Sequence, residues 1–272
     1  MSRHPPPPAL SDAPLAPGLY LVATPIGNLR DITLRALDVL SAADLVLAED
    51  TRVAGKLLSA YGLSKKLERY DEHSAGRSGP KALALLAEGG RVALVSDAGT
   101  PLVSDPGYRL AREAAAQGSA VWPIPGASAL LAGLAVSGLP TDRFLFAGFP
   151  PPKSAARRAF LEELAGVRAT LVFFEGASRV ADSLRDMAEV LGPREACVAR
   201  ELTKLYETVV RGPLDQLAAD PQFESPRGEF VILAGPGRED AATADDADRA
   251  LADALTRLRP AEAAAEVAKA LG

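Results

Sequence analysis

Residues 91–107, RVALVSDAGTPLVSDPG, constrain the fold more than any other stretch of this chain. The run 91–95 is short, apolar and rich in valine, the pattern of a buried strand. At Ser96 the chemistry changes abruptly to small, polar and turn-forming residues: Asp97, Ala98, Gly99, Thr100 and Pro101. A second turn, Ser104-Asp105-Pro106-Gly107, follows at once and leads into a helical pattern over 108–117. A buried strand that ends in a glycine-containing loop and restarts as a helix belongs to an open α/β sheet. In such sheets ligands sit at the carboxyl edge, where backbone N–H groups and a carboxylate such as Asp97 approach them closely. A single βα loop is an ordinary connection. Two adjacent loops of small residues exceed what a connection requires, and we read a ligand site here.

The 272 residues are enough for two compact domains or for one large one. A net charge of −5 does not mark the whole chain as a nucleic-acid binder, so any such binding must rest on a local basic patch. The one cysteine, Cys197, excludes an internal disulfide framework and fits a reducing compartment. No apolar run is long enough to span a membrane, and the proline-dominated N-terminus lacks the apolar core of a signal peptide, so a cytoplasmic protein is expected. The two histidines, His4 and His73, belong to no Cys/His cluster, and no metal site is expected.

Residues 1–17 read as a disordered or polyproline-like extension without a part in the core. Residues 18–24 form the first strand and end in Pro25-Ile26-Gly27-Asn28, a tight turn in which Gly27 and Asn28 can take positive φ. Asp31 or Thr33 caps the following helix. The next strand, 44–48, delivers Glu49, Asp50 and Arg52 to the same edge, either as a helix cap with a solvated ion pair or as part of a site. Residues 52–61 are helical, residues 70–73 and the glycine- and serine-containing stretch after them form a loop, and a helix runs over 80–88. The strand 119–124 ends in Pro125, Gly126 and Ser128, where Ser128 caps a small-residue helix. No phosphate-loop lysine follows, and without a GxGxxG a dinucleotide-binding reading is unsupported.

The strand 144–149 runs into three prolines, which read as a stiff connection between domains. Just beyond lie Lys153, Arg157 and Arg158, either a phosphate-meeting surface or a solvated helix face. The second half alternates again: strands at 169–174 and 195–200, a partner for the latter at 205–211, and a last strand at 228–234. The domains expected are therefore 18–149 and 150–237, both α/β, with a cleft between them and a mixed second sheet. Residues 238–272 are an acidic linker and a tail of two alanine-rich helices.

With these motifs in place, YLVATPIGNLRDIT, LAEDTR, VSDAGTPLVSDPG, PGASA, FFEGASR and ARELTKLYE resemble the signature segments of the tetrapyrrole-methylase superfamily. Within it they are most similar to the ribosomal RNA small subunit methyltransferase I family, over roughly residues 18–235. The resemblance implies the two-domain class III methyltransferase fold, a homodimer, and S-adenosylmethionine bound in the cleft. It also implies methylation of a cytidine ribose 2′-hydroxyl in the decoding region of 16S rRNA, on the small ribosomal subunit. Segments matching the donor pocket carry Pro25, residues 97–101, Pro125, Gly126 and Ser128, with Glu175 and Leu202 as contacts from the second domain. The catalytic candidates are Glu49, Asp50, Arg52, Glu201 and Lys204. Arg52, Lys153, Arg157 and Arg158 are the expected RNA contacts. The absence of a metal cluster or covalent nucleophile suits transfer from an already activated methyl, for which alignment and a base suffice. A small-molecule methyltransferase of the same fold and a non-catalytic ribosome-binding module are the competing readings.

Overall fold

The computed structural model describes residues 10–271 apart from 12, 105 and 238–243. The first nine residues of the proline-rich start, and most of the acidic linker, lie outside the described residues. Two five-stranded sheets organise the rest.

The first sheet contains β1 (Gly18–Val22), β2 (Leu45–Ala48), β3 (Leu67–Arg69), β4 (Arg91–Val95) and β5 (Val121–Ile124), in the order β3-β2-β4-β1-β5 and parallel throughout. Its central strands are apolar and buried on both faces, as parallel strands covered by helices must be. Alternate side chains along β1 part company: Tyr20 and Val22 join α1 (Leu34–Ala42) and α2 (Thr51–Ala60), whereas Leu19 joins α3 (Ala75–Ala87) and α4 (Tyr108–Ala116). Strands β1 and β4 are neighbours, yet the helix after each packs on an opposite face. Their loops therefore diverge and leave a crevice at the carboxyl edge, the topological switch point of the sheet. Edge strand β5 tolerates Pro123 because one of its sides needs no ladder donor.

The second sheet contains β6 (Phe144–Gly148), β7 (Thr170–Gly176), β8 (Glu195–Arg200), β9 (Thr208–Pro213) and β10 (Glu229–Ala234), in the order β6-β7-β10-β8-β9. Only β6–β7 is parallel, so the sheet is mixed, as expected. Helices α6 (Ser154–Leu164), α7 (Val180–Leu191) and α8 (Leu214–Ala219) cover one face around Leu161, Phe173, Leu184 and Met187. Truncating a fully buried residue such as Phe173 to alanine costs about 3–5 kcal/mol. The other face is covered by α5 (Ala129–Ser137). Gly133 lets α5 approach so closely that a Cβ there would lie 2.8 Å from Val231. Arg211 of β9 donates to the carbonyls of Val136 and Ser137 at the end of α5, where a cation meets the helix dipole favourably. Helices α9 (Ala244–Leu255) and α10 (Pro260–Leu271) pair with each other. No helix among the described residues is long and apolar enough to cross a membrane.

Three expectations are corrected. The break between the halves is not at 149/150: β6 pairs with β7 and α5 packs on the second sheet, so the chain passes from one unit to the other near residues 125–128. Helix α3 begins at Ala75, with Pro80 inside it, because Asp71 and Ser74 exchange bonds that fix its start: Ser74 N donates to Asp71 Oδ1 at 2.7 Å and Asp71 N to Ser74 Oγ at 2.8 Å. The N-terminal segment is not wholly outside the core, since Leu15 packs against the Tyr20–Val22 cluster and Ala16 accepts a bond from the Tyr20 hydroxyl at 2.6 Å.

Candidate functional site

The loops after β1 and β4 are joined backbone to backbone. Thr24 N donates to Gly99 O at 2.9 Å and Gly99 N to Thr24 O at 3.0 Å, an isolated bridge at the switch point. The Thr24 hydroxyl donates to Ser96 O and the Ser96 hydroxyl to Gly99 O, both at 3.2 Å. The Thr100 hydroxyl reaches Ala127 O at 3.3 Å and ties in the loop after β5, where Ser128 caps α5. Further along the same loop, Leu102 and Ser104 hold φ of 72° and 64°, a conformation that non-glycine residues adopt at a cost.

Asp97 connects this loop to the end of β2, its Oδ1 accepting from Asp50 N at 3.0 Å. Asp50 itself caps α2 through Arg52 N at 2.8 Å and pairs with the Arg52 guanidinium at 2.5 Å. These bonds hold the Asp50 carboxyl well below the usual carboxylate range. The cap-and-ion-pair alternative thus describes the Asp50 side chain. Glu49 differs: burial first, then the negative charges of Asp97 and Asp71, push its carboxyl up, with Arg69 opposing. A carboxylate made more basic in this way is suited to accept a proton.

The second unit contributes the loop after β8. Glu201 and Thr203 hold φ of 50° and 68°; with Leu102 and Ser104 they are the only non-glycine residues with positive φ among the described residues. All four thus fall in the two loops that face each other across the crevice. Lys204 Nζ bridges Glu201 Oε1 at 2.8 Å and Glu229 Oε2 at 2.9 Å, and Glu201 Oε1 also accepts from Glu229 N at 3.0 Å. Burial works against ionisation of Glu201, but the bonds from Lys204 and Glu229 N outweigh it and lower the carboxyl. Burial likewise opposes the Lys204 cation, while its bonds to the two glutamates raise it. The stem of Lys204 lies across Gly27 of the other unit, where φ is +156° and an added Cβ would come 2.3 Å from Lys204 Cγ. Asn28, expected to share this positive φ, is instead extended and caps a short 3-10 turn, Leu29–Asp31.

Between these loops lies a cavity of about 340 Å³. Of the expected donor residues, Asp97, Ala98, Gly99, Thr100 and Ser128 line it from the first unit, and Glu175 and Leu202 from the second. Glu201 and Lys204 line it as well. Pro25, Pro101, Pro125 and Gly126 are near it in sequence but not on its wall, and Glu49, Asp50 and Arg52 stand behind Asp97. The Glu175 side chain is committed elsewhere. It is buried, with Oε1 taking Arg179 at 2.7 Å and Gly176 N at 2.8 Å, and Oε2 taking the Ser183 hydroxyl at 2.6 Å. Sequence reasoning missed Ile26, Ser104, Phe149, Phe174 and Glu229 on the wall. The first two sat inside motifs already singled out, whereas Phe149 and Phe174 read as ordinary strand residues.

The basic stretch after the three prolines is corrected in part. Arg157 is 3% exposed, with Nε donating to Asp186 Oδ2 at 2.6 Å and Nη1 to the carbonyls of Pro151 and Pro152. It is an interior ion pair and offers RNA nothing. Arg158 pairs with Glu189 and lies 3.6 Å from Asp186, and Lys153 is exposed. The Arg52 side chain is 86% exposed.

The family described as Tetrapyrrole (Corrin/Porphyrin) Methylases matches residues 18–218. The chain is 53% identical over 261 residues to the ribosomal RNA small subunit methyltransferase I of Mesorhizobium japonicum, covering 95% of this chain and 89% of that one. To the protein of the same name from Erythrobacter litoralis it is 54% identical over 262 residues, covering 96% and 93%. Among solved structures, the methyltransferase CobJ superposes with a TM-score of 0.60 at 21% identity, over 80% of this chain and 94% of that one. The uroporphyrin-III-C-methyltransferase from Thermus thermophilus gives 0.56 at 23% identity, over 79% and 93%. These two likenesses concern the fold, and they agree with the two-sheet α/β architecture. The chain therefore belongs to the ribosomal RNA small subunit methyltransferase I family within the tetrapyrrole methylases.

Proposed function

We propose that this chain methylates the 2′-hydroxyl of a cytidine ribose in the decoding region of 16S rRNA, acting in the cytoplasm as a homodimer on the small ribosomal subunit. The observation that carries the reading is the shared cavity, into which both units send backbone-strained loops from the segments that resemble the family's signatures. The relatives' common name supplies the substrate class.

S-adenosylmethionine supplies a methyl group already activated on a sulfonium. The cavity suits it: its volume lies in the usual range for small-molecule sites, about 300–1,000 Å³, and Asp97, Glu201 and Glu229 on its wall outnumber the single wall cation, Lys204, so that a cation is favoured. Residues 97–100 and Ser128 hold the donor from the first unit, and Leu202 with the backbone at Glu175 from the second. Lys204 is fixed between two carboxylates and keeps the loop after β8 closed against Gly27. A ribose hydroxyl is a weak acid and needs a base as the O–methyl bond forms. Glu49, whose carboxyl is raised while the neighbouring Arg52 and Arg69 are paired with Asp50 and Asp71, is the candidate base for that proton. Arg52 and Lys153 meet phosphates of the RNA, which makes binding fall steeply with salt.

The test is transfer of labelled methyl from S-adenosylmethionine to 30S subunits lacking the modification. Label in 16S rRNA is the expected result. Donor binding without label in RNA would instead favour a small-molecule acceptor, and no donor binding would remove the methyltransferase reading for this site.

A further inference from the structure

Strand β6 runs beside β7 in parallel until Phe146, which faces Val172; the next paired residue is Gly148, opposite Phe173. One extra residue is thus inserted in β6, a bulge of a kind that is rare between parallel strands and that re-aims the side chain after it. Gly148 then takes φ of +70°, which completes the turn at a position where a Cβ would be strained. The residue delivered by this double irregularity is Phe149. It lies on the cavity wall, yet 53% of it remains exposed. Its ring is held edge-on against Phe174, with centroids 5.6 Å apart and planes at 65°, and Phe174 is braced in turn by Phe146 at 4.7 Å. Two rings therefore brace a third that stays half exposed, and the fold gains little from an aromatic left half exposed.

We propose that Phe149 is the stacking platform for the acceptor's nucleobase and so a specificity-determining residue of the cavity. This deepens the function proposed above and rests on it. The donor segments 97–100 and Ser128 come from the loops after β4 and β5, whereas Phe149 enters from the end of β6 in the second sheet and stays half exposed to the solvent from which a polynucleotide must arrive. A base flipped toward the cavity to present its ribose needs a planar partner to replace the stacking it loses, and an aromatic ring is the usual one.

The experiment compares wild type, Phe149→Leu and Phe149→Tyr on 30S subunits with labelled S-adenosylmethionine, alongside calorimetric titration of the donor alone. Leucine keeps an apolar side chain and removes the π-face. It is expected to raise the KM for the subunit by roughly tenfold to a hundredfold, the scale of one lost base stack, while donor affinity and melting temperature stay near wild type. Tyrosine is expected to restore KM. Equal KM for leucine and wild type would overturn the proposal, and weakened donor binding with unchanged KM would reassign the ring to the donor's adenine. Wild type without label in RNA would remove the proposed function itself, and this inference with it.

Discussion

The loops that the first sheet sends to the cavity are joined through main chain, by the reciprocal pair of bonds between Thr24 and Gly99. The facing loop of the second sheet is held by side chains instead, with Lys204 clamped between Glu201 and Glu229 and its stem laid over Gly27. Both store positive φ at non-glycine residues. The contrast teaches where each half is vulnerable. A main-chain lattice survives most side-chain changes, whereas a side-chain clamp fails when one charge or one volume changes.

The largest effect is expected at Glu49, which neither lattice nor clamp protects. Glu49→Gln should lower methyl transfer by roughly 10²–10⁴-fold, the usual worth of a general base, with donor affinity retained. Because the base works as a carboxylate, wild-type activity should rise with pH through the raised Glu49 value, above the ordinary 4.5, and that limb should vanish in the variant. Single-turnover rates across pH check both points.

Arg157→Ala comes next. Removing one partner of the buried Asp186 pair should destabilise the protein by about 3–5 kcal/mol, seen as a fall in melting temperature. Lys153→Ala should leave melting unchanged and reduce the salt slope of RNA binding by about 1. If Arg157→Ala lowered only RNA affinity, the interior reading of this residue would be wrong.

The clamp is tested by Gly27→Ala, which drives a methyl group into the Lys204 stem. Displacing the loop by this means should cost on the order of 10²-fold in transfer, whereas Ser96→Ala, which removes a hydroxyl bond to Gly99 O away from the cavity wall, should cost about 1 kcal/mol in stability and little activity. Equal effects of the two would erase the contrast between the halves. The smallest effect concerns Glu201. Its carboxyl is lowered in the folded state, so its stabilising contribution is present above the unfolded value of 4.5 and is lost as pH falls through the lower folded value. Acid unfolding of Glu201→Gln should be flatter than wild type in that window.

Much of this was legible in the sequence because it is encoded locally. The valine run before Ser96, the small residues after it and the cap at Ser128 depend on near neighbours, and the structure places them as read. What escaped depends on distant contacts. The three prolines after Phe149 look like a hinge, but β6 is claimed by β7, a pairing that no local signal carries. Residues 75–79 look like a loop until the bonds exchanged by Asp71 and Ser74 order the turn that leads into the helix. Arg157 looks like a surface charge because its burial is decided by Asp186, 29 residues on. Phe149 was unreadable as a site residue because a bulge aims it.

The most direct test of the account is the position of the transferred methyl group. After labelling of 30S subunits, alkaline hydrolysis of the 16S rRNA should leave the label in a hydrolysis-resistant dinucleotide that begins with a cytidine, since a methylated 2′-hydroxyl can no longer attack its phosphate. Label released as a mononucleotide carrying a methylated base would contradict the ribose assignment and, with it, the role given to Glu49.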